Sequence, residues 1–96
     1  MSGGHYNYRQ YEIQSIIESI QEIISEQSSE TTYKYSDKTI EQFKIAIYTL
    51  KRAFVYAHRI DWLASGDDGE ESFHERLEEE LIKVNSQSIM DSIYET

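Results

Sequence analysis

The 96-residue sequence has no cysteine, no proline, only four glycines and, tyrosine apart, no apolar run longer than three residues. Each absence removes a class of answer. Without cysteine there is no disulfide framework and no thiolate metal site, and a reducing, intracellular setting fits best. Without proline, and with glycine scarce, little interrupts a helix, so long continuous helices are expected. Without an apolar run approaching twenty residues there is no membrane-spanning candidate, and "MSGGHYNYRQY" lacks the basic-then-apolar layout of a secretion signal. The expectation is a soluble, cytoplasmic, single-domain chain with no membrane partner. A chain this short can form one modest core but not one surrounding a deep pocket, so any pocket is expected between chains.

Basic residues are also scarce, with nine Lys and Arg against eighteen Asp and Glu, for a formal net charge of −9. The imbalance is local. Residues 1–66 hold eight acids and seven bases, whereas residues 67–80 hold eight acids against Arg76 alone. Duplex nucleic acid is a poor partner for such a chain, because that affinity comes largely from neutralising phosphates with Lys and Arg.

What the sequence does have is helical period. Ile13, Ile16, Ile17, Ile20, Ile23 and Ile24 fall at amphipathic spacing and predict a first helix over about 8–25. The Ser- and Thr-rich "SEQSSETTYKYSD" reads as a loop, with Tyr33 and Tyr35 available to fold back on the core. A second helix is expected over about 37–64, capped by Ser36 or by a Thr39–Gln42 box and closed by Gly66. It carries two stripes. Phe43, Ala46, Ile47, Leu50, Ala53, Phe54 and Ala57 form a core face, and Lys44, Tyr48, Lys51, Val55, Arg59 and Trp62 lie roughly 140° round the cylinder. Phe73, Leu77, Leu81 and Val84 predict a third, acidic helix over about 70–84, with Asp67 or Asp68 as its cap. Ile89, Met90, Ile93 and Tyr94 suggest a short docking segment in the tail, 85–96.

Several chemical readings can be tested against spacing. "SGDDGEE" superficially matches a calcium loop, but Phe73 and His74 break the alternating ligand register. Glu71, His74 and Glu78 share a helical face, yet a bridged di-metal site needs two Glu-x-x-His units. "HERLE" lacks the second histidine of a zinc protease, and no phosphate loop or paired nucleophile and base is visible. No metal or cofactor is expected, and no enzyme. On the second helix, Lys and Arg interleaved with Tyr48 and Trp62 can hold phosphates and stack a base, and "HYNYRQY" adds Tyr6, Tyr8, Arg9 and Tyr11. Equally, the acidic third helix could lie against this stripe and neutralise it. Asp61 interrupts the core face of the second helix and is expected at the rim, or else matched by Arg59, His58 or a backbone donor.

Two stretches, "GGHYNY" and "RIDWLASGDDGEESFHERLEEEL", resemble the GGH-aromatic-x-Tyr and RIDWL-x-SGDDGE-x-x-FH-x-RL patterns of small proteins from phages and bacterial mobile elements. The run Ala46, Ile47, Leu50, Ala53, Tyr56, Ala57 and Ile60 also resembles the long helix of the helical-hairpin sponges with which phages sequester cyclic oligonucleotide signals. Glu75 and Glu78 are similarly spaced to the magnesium-binding carboxylates of all-α nucleotide pyrophosphohydrolases, without the matching acidic pair on another helix. These resemblances imply a small helical protein acting in the host cytoplasm.

The fold class expected is all-α: a long antiparallel helical hairpin, a third acidic helix and a C-terminal docking segment. Ile45, Tyr56 and Ile60, outside the core face, point to a homo-oligomer. The leading functional expectation is a non-enzymatic binding protein that counters host defence by sequestering a small anionic signal such as a cyclic nucleotide. Its contacts would be Tyr8, Arg9, Tyr11, Lys44, Tyr48, Lys51, Arg59 and Trp62. The alternative is an acidic inhibitor of a host nucleic-acid-binding protein, acting through Asp67, Asp68, Glu75, Glu78 and Glu79. A metal-dependent helical enzyme is the third.

Overall fold

The computed structural model describes residues 4–94, and side chains as far as residue 86. The chain is all-α, with three helices in order: α1 (Gln10–Glu26), α2 (Asp37–Ala64) and α3 (Glu70–Tyr94). The two stripes of α2 explain the arrangement. Its Phe54, His58 and Asp61 meet Tyr11 and Gln10 of α1, while Tyr48, Arg52 and Arg59 meet Asn85 and Glu80 of α3. Two apolar or mixed stripes on one helix thus have two helical partners. Among the described residues the α1 and α3 backbones stay more than 8 Å apart, Cα to Cα.

The result is a slab of 49 × 28 × 15 Å rather than a closed bundle. Its Cα radius of gyration is 16.1 Å, where a compact chain of this length would have about 12.5 Å. Burial is correspondingly thin: among the described apolar side chains only Ile17, Val55 and Val84 are buried. Among the described residues no helix is long and apolar enough to cross a membrane.

Local chemistry sets the helix ends. Ser36 caps α2, its Oγ accepting the Thr39 amide at 3.3 Å. Gly66, at φ +82°, closes it: the Gly66 amide donates to Leu63 O and the Asp67 amide to Trp62 O, a Schellman pair that a residue with a Cβ would strain. Gln27 clasps the α1–α2 loop, its Nε2 donating to Tyr33 O and its Oε1 accepting from the Tyr35 amide.

Three expectations need correction. First, the Phe73 amide donates to Gly69 O, so Gly69 occupies the cap position of α3, and Asp68 turns away to accept from Ser72 Oγ. Second, the α3 backbone runs on to Tyr94 instead of ending near residue 84, because no glycine or proline stops it. The expected docking side chains Ile89, Met90, Ile93 and Tyr94 lie outside the described ones. Third, Asp61 is not at a rim: its exposure is 0%.

Candidate functional site

The fate of Asp61 organises one end of the molecule. A buried carboxylate needs hydrogen-bond donors or it will not stay ionised. The donors come from the opposite end of the chain. Oδ2 accepts the Gly4 amide at 2.9 Å and Gln10 Nε2 at 3.2 Å, while Oδ1 accepts the Tyr6 amide at 2.9 Å. The His5 amide donates to Ser65 Oγ at 3.1 Å, one helical turn further along. Burial pushes the Asp61 carboxyl up, but the amides of Tyr6 and Gly4, the Gln10 amide and the His5 amide more than reverse this and hold it below the ordinary range.

To present successive amides to one carboxylate, residues 4–9 must curl tightly. Gly4 (φ +97°), Asn7 (φ +57°) and Tyr8 (φ +59°) all take left-handed backbone. Glycine does so freely and asparagine with little penalty, but a tyrosine there is strained and persists only because the surroundings impose it. The Asn7 amide closes the turn on Gly4 O, and the Arg9 amide closes the next on Tyr6 O. Arg9 Nε also donates to Tyr6 O at 3.1 Å, which fixes the guanidinium against the turn. The loop therefore presents Tyr8, 53% exposed, together with the exposed Arg9 and Tyr11, on a rigid base. A groove of about 310 Å³ opens beside it, lined by Tyr6, Arg9, Gln10, Glu12, Ile13 and Ala57.

His58 extends the network. Its ring stacks on Phe54 with centroids 5.5 Å apart and takes Tyr11 and Trp62 edge-on. Gln10 Nε2, whose orientation Asp61 dictates, also lies 3.5 Å from His58 Nδ1. Burial, and next the neighbouring Arg59, push the His58 pKa below 6.5, against the opposing pull of Glu80 and Asp61. Since an amide nitrogen can only donate, the Gln10 contact pairs with the ring tautomer in which Nδ1 accepts.

The α3 side of the same helix holds the opposite charge. Arg59 is 6% exposed, with Nε 3.2 Å from Glu80 Oε2, Nη1 3.6 Å from Asp68 Oδ2, and its guanidinium 5.4 Å from the Trp62 ring centre. These are ion-pair contacts without hydrogen-bond alignment. A second polar knot joins the helices further along, where Asn85 Oδ1 accepts from Tyr48 Oη at 2.6 Å and from Arg52 at 3.2 Å.

The eight side chains expected to bind one ligand are therefore divided. Tyr8, Arg9 and Tyr11 share the pinned loop region, with Trp62 in contact with His58 nearby. Tyr48 and Arg59 are engaged with α3, Lys51 is half-buried between them in sequence, and Lys44 sits toward the other end of α2 in a separate groove with Asp37, Ile40 and Glu41. Of the acidic set, Asp67, Glu75, Glu78 and Glu79 are exposed, and Asp68 is committed to Arg59 and Ser72. His74 is exposed beside Phe73, and among the described residues no three His, Asp or Glu side chains gather as metal ligands would. Sequence reasoning missed Gly4 and Gln10. The available signal was that two distinctive stretches at opposite ends of the chain each carried a feature needing a partner: a glycine-rich turn and a carboxylate in an apolar face.

Comparison of the chain with protein-family models, curated proteins and solved structures finds no match.

Proposed function

We propose that the chain is a non-catalytic binding protein whose recognition surface is the loop pinned by Asp61, and that its ligand is a small anion carrying an aromatic base, such as a cyclic nucleotide. One observation carries this reading. The strained backbone at Tyr8, in a loop pinned by the buried carboxylate, sets the tyrosine ring against Gly4 while leaving the residue 53% exposed and next to the exposed Arg9. An aromatic face and a guanidinium held in fixed relation suit stacking on a base while pairing a phosphate. The resemblance to phage and mobile-element proteins supports a role in countering host defence. Calorimetry against a panel of cyclic di- and trinucleotides tests it. Heat is expected with the parent chain, with affinity reduced at least tenfold in Tyr8→Ala and Arg9→Ala. No heat at high protein concentration removes the proposal.

A second reading rests on a different observation. Arg59 engages Asp68 and Glu80, which leaves Glu70, Glu71, Glu75, Glu78 and Glu79 of α3 exposed. Residues three and four apart on a helix have Cβ atoms roughly 5–6 Å from one another, so these glutamates form a row of negative charge able to occupy a basic groove built for nucleic acid. Displacement of duplex DNA from a host DNA-binding protein, weakening steeply with salt and with Glu75, Glu78 and Glu79 changed to Gln, would establish this reading. Displacement indifferent to both would exclude it.

A further inference from the structure

Among the described residues, one face of the slab has no partner. On the side of α2 turned away from both neighbouring helices lie Ile45, Thr49, Tyr56, Ile60 and also Ala53, which spacing alone assigns to the core face, all exposed, with Ile45 at 50%. The face continues onto α1. The groove that brings Ile13 of α1 beside Ala57 of α2 runs along the same flank, and Ile16, one turn beyond Ile13, is 50% exposed. None of these positions is charged, in a chain of net charge −9. Thr49 turns its hydroxyl back to donate to Ile45 O at 2.9 Å, so its polar group is already satisfied within the helix.

We infer that this face joins two copies of the chain through a two-fold axis near Ala53. Three observations favour a second copy as the occupant. The chain exposes 6985 Å², whereas a folded monomer of its mass exposes about 5,700 Å². The excess, about 1,200 Å², exceeds the roughly 800 Å² that each partner buries in a standard interface. Among the described residues only three apolar side chains are buried, which leaves apolar surface to cover, and the partner that every copy always has is another copy. The electrostatics agree, because self-repulsion of an acidic chain is least where carboxylates are sparse, here Glu12 alone beside Arg9 in the groove, and the acidic α3 packs on a different stripe of α2. Small residues at 49, 53 and 57 let two α2 helices approach closely, with Tyr56 and Ile60 packing on either side.

The pairing also deepens the proposed function and, in that part, rests on it. An antiparallel α2–α2 contact centred on Ala53 lays the first half of one α2 beside the Arg9–Ala57 groove of the other copy, giving that shallow groove a second wall.

The chain's lack of cysteine provides the test. Single-cysteine variants Ala53→Cys and, on the opposite flank of α1, Gln14→Cys are oxidised mildly at micromolar concentration, alongside sedimentation of the parent chain and of Ala53→Glu. The expected result is a parent dimer, a covalent dimer from Ala53→Cys at least tenfold faster than from Gln14→Cys, and a dimer dissociation constant raised at least 100-fold in Ala53→Glu. A parent chain that is monomeric at 100 μM overturns the inference, as does equal cross-linking of the two cysteine variants. If Ala53→Glu does not fold, the cysteine pair decides alone. Dimerisation without nucleotide binding would remove the proposed function and leave this interface standing.

Discussion

Two residues apart on one helix, α2 buries a negative and a positive charge, and the fold treats them in opposite ways. Asp61, with 0% exposure, is met by uncharged donors aligned at 2.9–3.2 Å, two of them backbone amides. Arg59 is met by two carboxylates in looser ion pairs, one of which, on Glu80, is 38% exposed. A backbone donor survives every substitution except proline, whereas a side-chain partner does not. The α1 side of the helix is therefore locked to its one residue type, and the α3 side is open to replacement.

Breaking the Asp61 side should have the largest effect. Asp61→Ala leaves the Gly4 and Tyr6 amides and the Gln10 amide without an acceptor, and a loss of about 3–5 kcal/mol is expected. A small domain's whole stability is of the order of 5–15 kcal/mol, so chemical denaturation should show a chain near its folding limit. Asp61→Asn should recover little of that loss, since its amide nitrogen would face donors.

Arg59→Met should cost less, about 1–3 kcal/mol, because Glu80 can turn to water once unpaired. The sharper comparison is compensation. Adding Asp68→Asn and Glu80→Leu to Arg59→Met should bring stability back to within about 1 kcal/mol of the parent, as replacing a whole buried ion pair often does. No second substitution should rescue Asp61→Ala. A triple variant as unstable as the single one would undo the distinction.

Acid should separate the groups in order. His58 has a lowered folded pKa, so the unfolded chain binds its proton first, and stability should fall as pH drops below about 6.5 toward that lowered value, then level off. Asp61 is also lowered, but as a carboxyl: its contribution is complete above its unfolded value of about 3.9 and is lost as pH falls further, through the folded one. Denaturation midpoints between pH 8 and pH 3 should show both declines, and His58→Phe should remove only the first. The smallest effect belongs to the turn itself. Gly4→Ala forces a Cβ into left-handed backbone next to the Tyr8 ring, at about 1 kcal/mol, and should accelerate hydrogen exchange at the loop amides more than at α3.

The helices themselves were largely legible, because they rest on local rules. The Ile stripe of α1, the Ser36 cap, the Gly66 stop and the two stripes of α2 all follow from spacing and backbone preference. The site was legible only in pieces. Asp61 stood out as a charge in an apolar face, and "GGHYNY" as an unexplained turn, but a separation of 55 or more residues between donors and acceptor leaves no periodicity to read. Arg59 stood between two readings, a ligand contact or a cation neutralised by the acidic helix, and its pairs with Asp68 and Glu80 follow the second, though its burial was not legible in sequence.

By itself, then, the amino-acid order determined that three helices form, where α2 begins and ends, where the acidity lies, and that α2 must serve two faces, since these are properties of neighbours within a few turns. Only the tertiary structure decided that the two charges at the end of α2 are both buried, that one is neutralised by α3 and the other held by the N-terminal loop, and that a third face is left bare. Those outcomes depend on desolvation. The penalty for burying Asp61 is imposed by packing and relieved by groups far along the chain, and no local window of sequence contains both.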